Sequence, residues 1–404
     1  MGNSVGISPM LICLLISVTK AVFPNTENAK EFKMQHATKD DEASPRGHLE
    51  PLGSHGPPTG KLDIVDNVPS PPEFYQRYVR PSKPVVLKGA ARSLPAFQLW
   101  TDEYLRKANG ALEVEVEEGK KEDRSLNVYV MTLKQFLDNY LDEDLYLVES
   151  LKPQLHGDFG LLRCLLCGGF TRLLQDTIMW LNSGGTKSVL HYDDVDNINC
   201  VLDGDKKVLL VDKNDAHHID MDRAEGGYSN VDVDMVDMYK YPGLQDLPYY
   251  LVNLSRGDCL YLPARWPHHV RSGHSRSLAV NVWFARLQWF DEEDCHKREL
   301  PDFEPLHNYR FSSTNEPLRS EILAKAVGMN ELNEEDLWNC YSSFLGSRNQ
   351  SQKVFRFLDA DGDGLVSWRE MYAIDADTFV KLFPWLFKPK TNLEGQPPRP
   401  VDEL

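Results

Sequence analysis

A histidine stands two residues before an aspartate three times in the chain: His156-Gly-Asp158, His191-Tyr-Asp193 and His218-Ile-Asp220. On a β-strand, side chains at i and i+2 point to the same side, so this spacing delivers an imidazole and a carboxylate together. Two histidines and one carboxylate on one side of a metal, with the remaining positions open, are what a non-haem Fe(II) centre needs. Context separates the three. The first sits among turn residues, and the third lies in an acidic stretch with no strand before it. His191-Tyr-Asp193 ends the run Ser188–His191 and leads into Asn197-Ile-Asn-Cys-Val-Leu202. A third ligand is expected from a later strand. Asp258–Pro263 alternates as a strand and runs into Ala264-Arg-Trp-Pro-His-His-Val270. Neighbouring strand residues face opposite ways, so one of His268 and His269 points inward, and spacing alone does not choose between them.

A second constellation lies near the C-terminus. Asp359-Ala-Asp361-Gly-Asp363-Gly-Leu365-Val-Ser367-Trp-Arg-Glu370 fits the twelve-residue calcium loop of an EF-hand. Asp359, Asp361 and Asp363 fill positions 1, 3 and 5, and Gly364 makes the turn at 6. Leu365 offers its carbonyl at 7, Ser367 stands at 9, and Glu370 binds bidentately at 12. Helical runs, Val354–Leu358 and Trp368–Ile374, flank the loop. EF-hands usually pair, and the helices Leu318–Val327 and Glu334–Leu345 outline a degenerate partner around Gly328–Glu334.

The elements that position these residues follow from pattern. Short β-rich runs recur between Trp180 and Phe284: Ile198–Leu202, Lys207–Val211, Tyr250–Leu254, Asp258–Leu262 and Ser277–Phe284. Turn residues separate them, which argues for a sandwich or barrel. Asp212–Pro248 reads as an acidic insert covering one end of that barrel. Upstream, Pro72–Val79 looks like a short helix, Lys83–Gly89 and Leu112–Glu117 read as strands, and Thr132–Tyr140 has helical spacing. The expected class is mainly β with flanking helices, plus a small α-helical EF-hand domain.

Bulk composition sets limits. The chain has 404 residues, 41% hydrophobic and 10% aromatic, with a formal net charge of -17. That charge argues against a nucleic-acid partner, because phosphate binding needs clustered Lys and Arg. Met10–Val18 is too short to span a bilayer, which takes about 20 apolar residues. It matches the apolar core of a signal peptide over residues 1–21, with cleavage after Ala21. Residues 22–60 are polar and read as a disordered linker. The mainly β domain is expected over 61–290, the helical region with the calcium loop over 291–390, and a tail over 391–404. The chain ends in Val-Asp-Glu-Leu404, which resembles a retrieval signal of the endoplasmic reticulum, so a retrieval receptor is an expected partner. The expected location is the lumen of the endoplasmic reticulum or the outside of the cell. Sequons at Asn253 and Asn349 are permitted there. Cys164-Leu-Leu-Cys167 is a redox pair, a local disulfide or two free thiols; no second Cys-x-x-Cys accompanies it, which disfavours zinc.

Together these motifs resemble the JmjC-domain oxygenases, in particular the cupin-like hydroxylase branch with factor-inhibiting-HIF-type enzymes. The resemblance is carried by Trp180–Ile198 around His191-Tyr-Asp193, by Gly204-Asp-Lys206, by Gly257–His269 and by Ala279-Val-Asn281-Val-Trp-Phe284, in that order. It implies an oxygenase domain of double-stranded β-helix fold, of the cupin or jelly-roll kind, over 61–290, with Fe(II) on His191, Asp193 and His268 and Lys206 against the distal carboxylate of 2-oxoglutarate. Ser188 stands where the family often has a threonine that bonds the cosubstrate, and Asn197 and Asn281 match polar positions lining the pocket. The implied activity is hydroxylation of a protein or peptide side chain in the secretory pathway. A JmjC demethylase and a catalytically inactive scaffold with calcium-dependent interactions are the other readings.

Overall fold

The protein is described by a computed structural model covering residues 44–120, 128–222, 227–297, 299–311, 329 and 331–386. The signal-peptide reading, the first part of the linker, the helix expected over Leu318–Val327 and the tail over 391–404 lie outside the described residues.

Strands account for the centre of the chain: β1 (Asp63–Val65), β2 (Val85–Leu87), β3 (Glu113–Glu118), β4 (Val128–Thr132), β5 (Leu145–Ser150), β6 (Gly160–Leu162), β7 (Leu174–Asn182), β8 (Asp196–Asp203), β9 (Lys206–Leu210), β10 (Tyr250–Leu254), β11 (Cys259–Leu262), β12 (His268–Ser272) and β13 (Ser277–Phe284). Nine of them form one sheet in the order β1-β2-β11-β8-β13-β7-β5-β3-β4, and β10-β9-β12 form a second. Alternation decides what each face meets. Val280, Val282, Leu181 and Leu147 point to the helix-covered side, where the largest core lies. Val201, Leu260 and Leu262 point the other way and pack against Val208, Leu210, Val252 and Leu254 of the small sheet. The result is a two-sheet jelly-roll sandwich with the candidate site between its layers.

The crossing from β8 of the large sheet to β9 of the small one is a single tight turn. Gly204 sits at φ 72°, and a Cβ there would lie 2.5 Å from the carbonyl of Arg276, so only glycine fits. The turn delivers Lys206 as the first residue of β9, facing inward.

The Asp212–Pro248 insert does not close an end of the barrel. It covers the outer face of the small sheet, where Val231, Val233, Val236 and Leu244 bury Leu209 and Val211. Residues 44–60 correct the linker reading as well. They carry few apolar groups, but Leu52 joins the insert's core, Leu49 N–H donates to Val236 O, and His55 bonds the carbonyl of Leu247. Composition alone does not register so few contacts when the surface that receives them comes from 180 residues away.

Cysteine pairing is long-range. Cys167 bonds Cys295, Cys200 bonds Cys259 across β8 and β11, and Cys164 is a buried free thiol. Cys164-x-x-Cys167 is therefore neither a redox pair nor a local disulfide.

The C-terminal part is helical. Helices Glu334–Leu345 and Arg348–Leu358 precede the acidic loop, and Trp368–Ala373 and Ala376–Leu382 follow it. Glu331–Leu332 pairs antiparallel with Val366–Ser367 of the loop. The exit helix docks on the large domain: Arg369 forks onto the buried Asp291 carboxylate, and Tyr372 OH accepts from Gln288 N–H.

Candidate metal centre

His191 lies outside the regular strands, but a backbone bridge fixes it opposite His268. His191 N–H donates to His268 O at 3.1 Å, and His268 N–H returns to His191 O at 2.7 Å. Residues bridged in this way present their side chains on the same side, and the two rings lie 4.2 Å apart. Asp193 joins them: one carboxylate oxygen is 4.0 Å from His268 Nε2, and donor atoms of all three lie within 4.8 Å of one another. Asp193 is held from behind. Its carbonyl accepts from the N–H of Arg265, a residue kept at φ 64° in a turn pinned by Ala264 N–H on Asp196 and Trp266 Nε1 on Ser82 O. That left-handed non-glycine residue costs on the order of 1 kcal/mol, strain of a kind that persists where surrounding contacts fix a site.

The hydrogen bonds of the rings set their tautomers. His191 Nδ1 bonds Val189 O at 2.9 Å and His268 Nδ1 bonds Trp266 O at 3.0 Å. A carbonyl only accepts, so each Nδ1 carries the proton and each Nε2 keeps its lone pair. Burial, reinforced by the neighbouring His191, holds His268 well below the ordinary histidine range. Two neutral imidazoles and a carboxylate are a donor set that suits Fe(II).

His269 is the outward residue of the pair. Its Nδ1 bonds Ser188 O beneath the insert, and burial lowers its pKa to about 4. The other two His-x-Asp pairs have structural partners. Asp158 accepts from Trp100 Nε1 and Tyr104 OH, while His156 bonds Leu151 O. His218 bonds Gly243 O within the insert.

Lys206 is buried, at 5% exposure, on the same inward face as His268. No hydrogen bond or ion pair to its ammonium is found among the described residues, and burial alone lowers its pKa to about 8. In the register, Lys206 opposes Ser272 and Leu210 opposes His268. Four strand residues separate the two levels, about 13 Å. A lysine stem, a five-carbon diacid and a metal bond together fill such a span. The buried unpaired cation makes a dianionic cosubstrate a good fit, because such a charge is stable only with a counter-ion.

Asn197, Asn199 and Asn281 share the facing layer, with Asn199 Nδ2 donating to Asn281 Oδ1. Among the described residues, Asn197 Oδ1 and the indole N–H groups of Trp180 and Trp283 are buried without partners. Asn199 escaped the sequence reading although it lies two residues from Asn197 on the same strand face; the period of two was the available signal. Ser188 behaves otherwise. Its hydroxyl donates to Val189 O and accepts from Val270 N–H, so it ties the ligand segment to β12 rather than offering a free donor.

The model of the cupin-like domain family matches residues 71–288. The chain belongs to that family. Among curated proteins, it is similar to Jumonji C domain-containing protein 5 of Drosophila melanogaster, 26% identical over 260 residues, covering 60% of this chain and 64% of that one. Lysine-specific demethylase 8 of Xenopus tropicalis is 27% identical over 280 residues, covering 64% and 63%. The bifunctional peptidase and (3S)-lysyl hydroxylase JMJD7 of Homo sapiens is 24% identical over 265 residues, covering 55% of this chain and 84% of that protein. The chain thus spans a little under two thirds of the length of the first two relatives. Membership of the cupin-like family agrees with the sheet sandwich and its His-Asp-His cluster.

Proposed function

We propose that the protein is an Fe(II)- and 2-oxoglutarate-dependent oxygenase that hydroxylates a side chain of a protein or peptide. The carrying observation is the joint presence, on one inner face of the small sheet, of the His191–Asp193–His268 cluster and the Lys206 ammonium, unpaired among the described residues. Iron and 2-oxoglutarate, when bound, supply oxidation of a C–H bond by dioxygen coupled to decarboxylation of the cosubstrate to succinate. The chain's own residues do the rest. His191 and His268 offer Nε2 lone pairs, Asp193 adds charge, and Lys206 neutralises and orients the distal carboxylate. Asn199 and Asn281 fix each other on the opposite wall. Tyr228 of the insert stacks over His191 and shields that ring from water. Printed names of the relatives include both a demethylase and a lysyl hydroxylase. The same constellation could act on an N-methyl group, and formaldehyde release from a methylated peptide would separate the two outcomes.

Anaerobic titration of the purified chain with Fe(II) and 2-oxoglutarate tests the reading. A visible charge-transfer band is expected at one iron per chain; a folded protein that gives no band would leave an inactive scaffold.

The helix–loop–helix at 359–370 supports a calcium site in the same protein. Asp359, Asp361 and Asp363 converge, and Glu370 reaches back to accept from Ala360 N–H and Ser367 N–H. Asp359 Oδ1 is buried with no partner among the described residues. Calcium at 100 times its Kd is expected to stabilise the fold by roughly 2.7 kcal/mol, read as a rise in Tm that EGTA reverses. Glu370→Gln removes the bidentate ligand and abolishes that rise; a wild-type Tm indifferent to calcium would sink the assignment.

A secretory location is supported by two disulfides among the described residues, Cys167–Cys295 and Cys200–Cys259. Asn253 and Asn349 are both exposed, as glycan acceptors must be.

A further inference from the structure

Four carboxylates of the acidic loop must come together before an ion can join them. Asp359, Asp361 and Asp363 offer oxygens within 4.8 Å of one another, and Glu370 folds in from the far end of the loop. Like charges this close repel, so a closed, empty loop is unfavourable unless contacts outside it hold its ends. Pairing with Glu331–Leu332 holds the backbone of Val366 and Ser367. The direction in which the next helix, Trp368–Ala373, carries Glu370 needs a separate anchor.

Two contacts one helical turn apart supply it. Arg369 Nε and Nη2 donate to the two carboxylate oxygens of Asp291 at 3.1 and 2.9 Å, and Nη2 also reaches Glu293 at 3.2 Å. Tyr372, three residues on and therefore on the same helix face, accepts from Gln288 N–H at 2.8 Å. Asp291 is itself a fixed post. Its side chain is 4% exposed, its N–H donates to Gly168 O, and its carbonyl accepts from Asp294 N–H. Gly168 N–H returns to the Asp294 carboxylate, and the Cys167–Cys295 disulfide closes the same corner. Arg369 and Glu370 are consecutive residues of the helix's first turn, about 100° apart around its axis. Fixing the one toward Asp291 therefore fixes the other toward the loop. The match to the cupin-like family ends at Gln288, so the Asp291–Arg369 pair lies wholly outside the matched residues.

We propose that Asp291 is a positioning residue for the calcium loop: by gripping Arg369 it holds the first turn of the exit helix and aims Glu370 at the ion. The proposal rests on the calcium reading of residues 359–370. Site rigidity is one of the quantities that sets the calcium affinity of such a loop, and here the rigidity is lent by the sheet domain. The coupling is reciprocal, so calcium strengthens the grip of Arg369 on Asp291 by the factor that the grip adds to calcium affinity.

The test is calorimetric titration of the full chain with calcium chloride, beside thermal unfolding in EGTA. The wild type is expected to bind one calcium per chain. Arg369→Gln and Asp291→Asn should each weaken that binding about tenfold, the lower end of what loss of a group that orients a metal ligand costs. The double variant should lose no more than the worse single variant, because both remove one contact. Arg369→Lys keeps the charge without the fork and should fall between. Tyr372→Phe leaves the ion pair intact and removes the second anchor; it should weaken calcium binding by a smaller factor, and it keeps the test alive if Asp291→Asn does not fold. A pair serving only the fold would lower the Tm in EGTA and leave calcium affinity unchanged, which would overturn the proposal. So would losses that add in the double variant. A folded wild type that binds no calcium defeats the calcium reading and this proposal with it. Calcium binding indifferent to every substitution defeats this proposal alone.

Discussion

His191→Ala abolishes the iron–2-oxoglutarate band and takes succinate formation below detection. Removing a group that merely orients a metal ligand costs about 10–100-fold in affinity or activity, so removing a ligand costs more. The fold should survive. The bridge between residues 191 and 268 is made by backbone N–H and C=O groups, which alanine keeps. The ring of His191 is only half-buried, so its loss leaves no sealed cavity. Cosubstrate binding in the absence of metal should persist through Lys206. A variant that retained the band would place the metal elsewhere. A variant that lost it together with a large drop in Tm would show His191 to be a packing residue.

How far the site could be read in advance depends on the range of the interaction that makes it. The period of two placed β10 at Tyr250–Leu254 and β13 at Ser277–Phe284, and the period of 3.6 placed the helix Glu334–Leu345. These are local patterns of burial. Asn197 and Asn281 are legible only through the family resemblance, which matches them to polar positions lining the pocket. The choice between His268 and His269 is different, since both fit an alternating strand. The bridge to His191 and the insert over His269 decide it, and neither is encoded within a few residues. The same holds for Cys167, whose partner lies 128 residues away. It holds too for residues 44–60, where a single leucine and a few backbone hydrogen bonds suffice because the insert supplies the other surface. Ser188 matched a family position by type, yet its hydroxyl answers to the backbone of its own ligand segment. Residue type transfers more readily than hydrogen-bond geometry.

Lys206→Met should stabilise the protein while disabling it. Burial without a counter-ion lowers the Lys206 pKa from 10.5 to about 8, whereas the unfolded chain keeps the ordinary value. A drop of that size corresponds to on the order of 3 kcal/mol favouring the unfolded state. The sign follows from which state binds the proton more tightly. Below pH 8 both states carry the charge and the cost is complete; it fades as the pH rises and is gone above 10.5. Methionine keeps the apolar stem and removes the charge, so the variant gains that stability at neutral pH and loses the advantage in strong alkali. With 2-oxoglutarate present the order reverses. The dicarboxylate pairs with Lys206 in the wild type and raises its stability with concentration, but finds no counter-charge in the variant. The affinity of the wild type for 2-oxoglutarate should itself be flat below pH 8. It should fall by up to tenfold per pH unit above, because the free protein must first take up the proton. Urea denaturation of both proteins, with and without cosubstrate and at several pH values, reads all of this. A lysine serving only the fold would give the opposite result: Lys206→Met would be less stable, and 2-oxoglutarate would not change the ranking. A buried cation retained at a net cost in the empty protein, and repaid only by a dianion, is what a binding site requires and what a core does not.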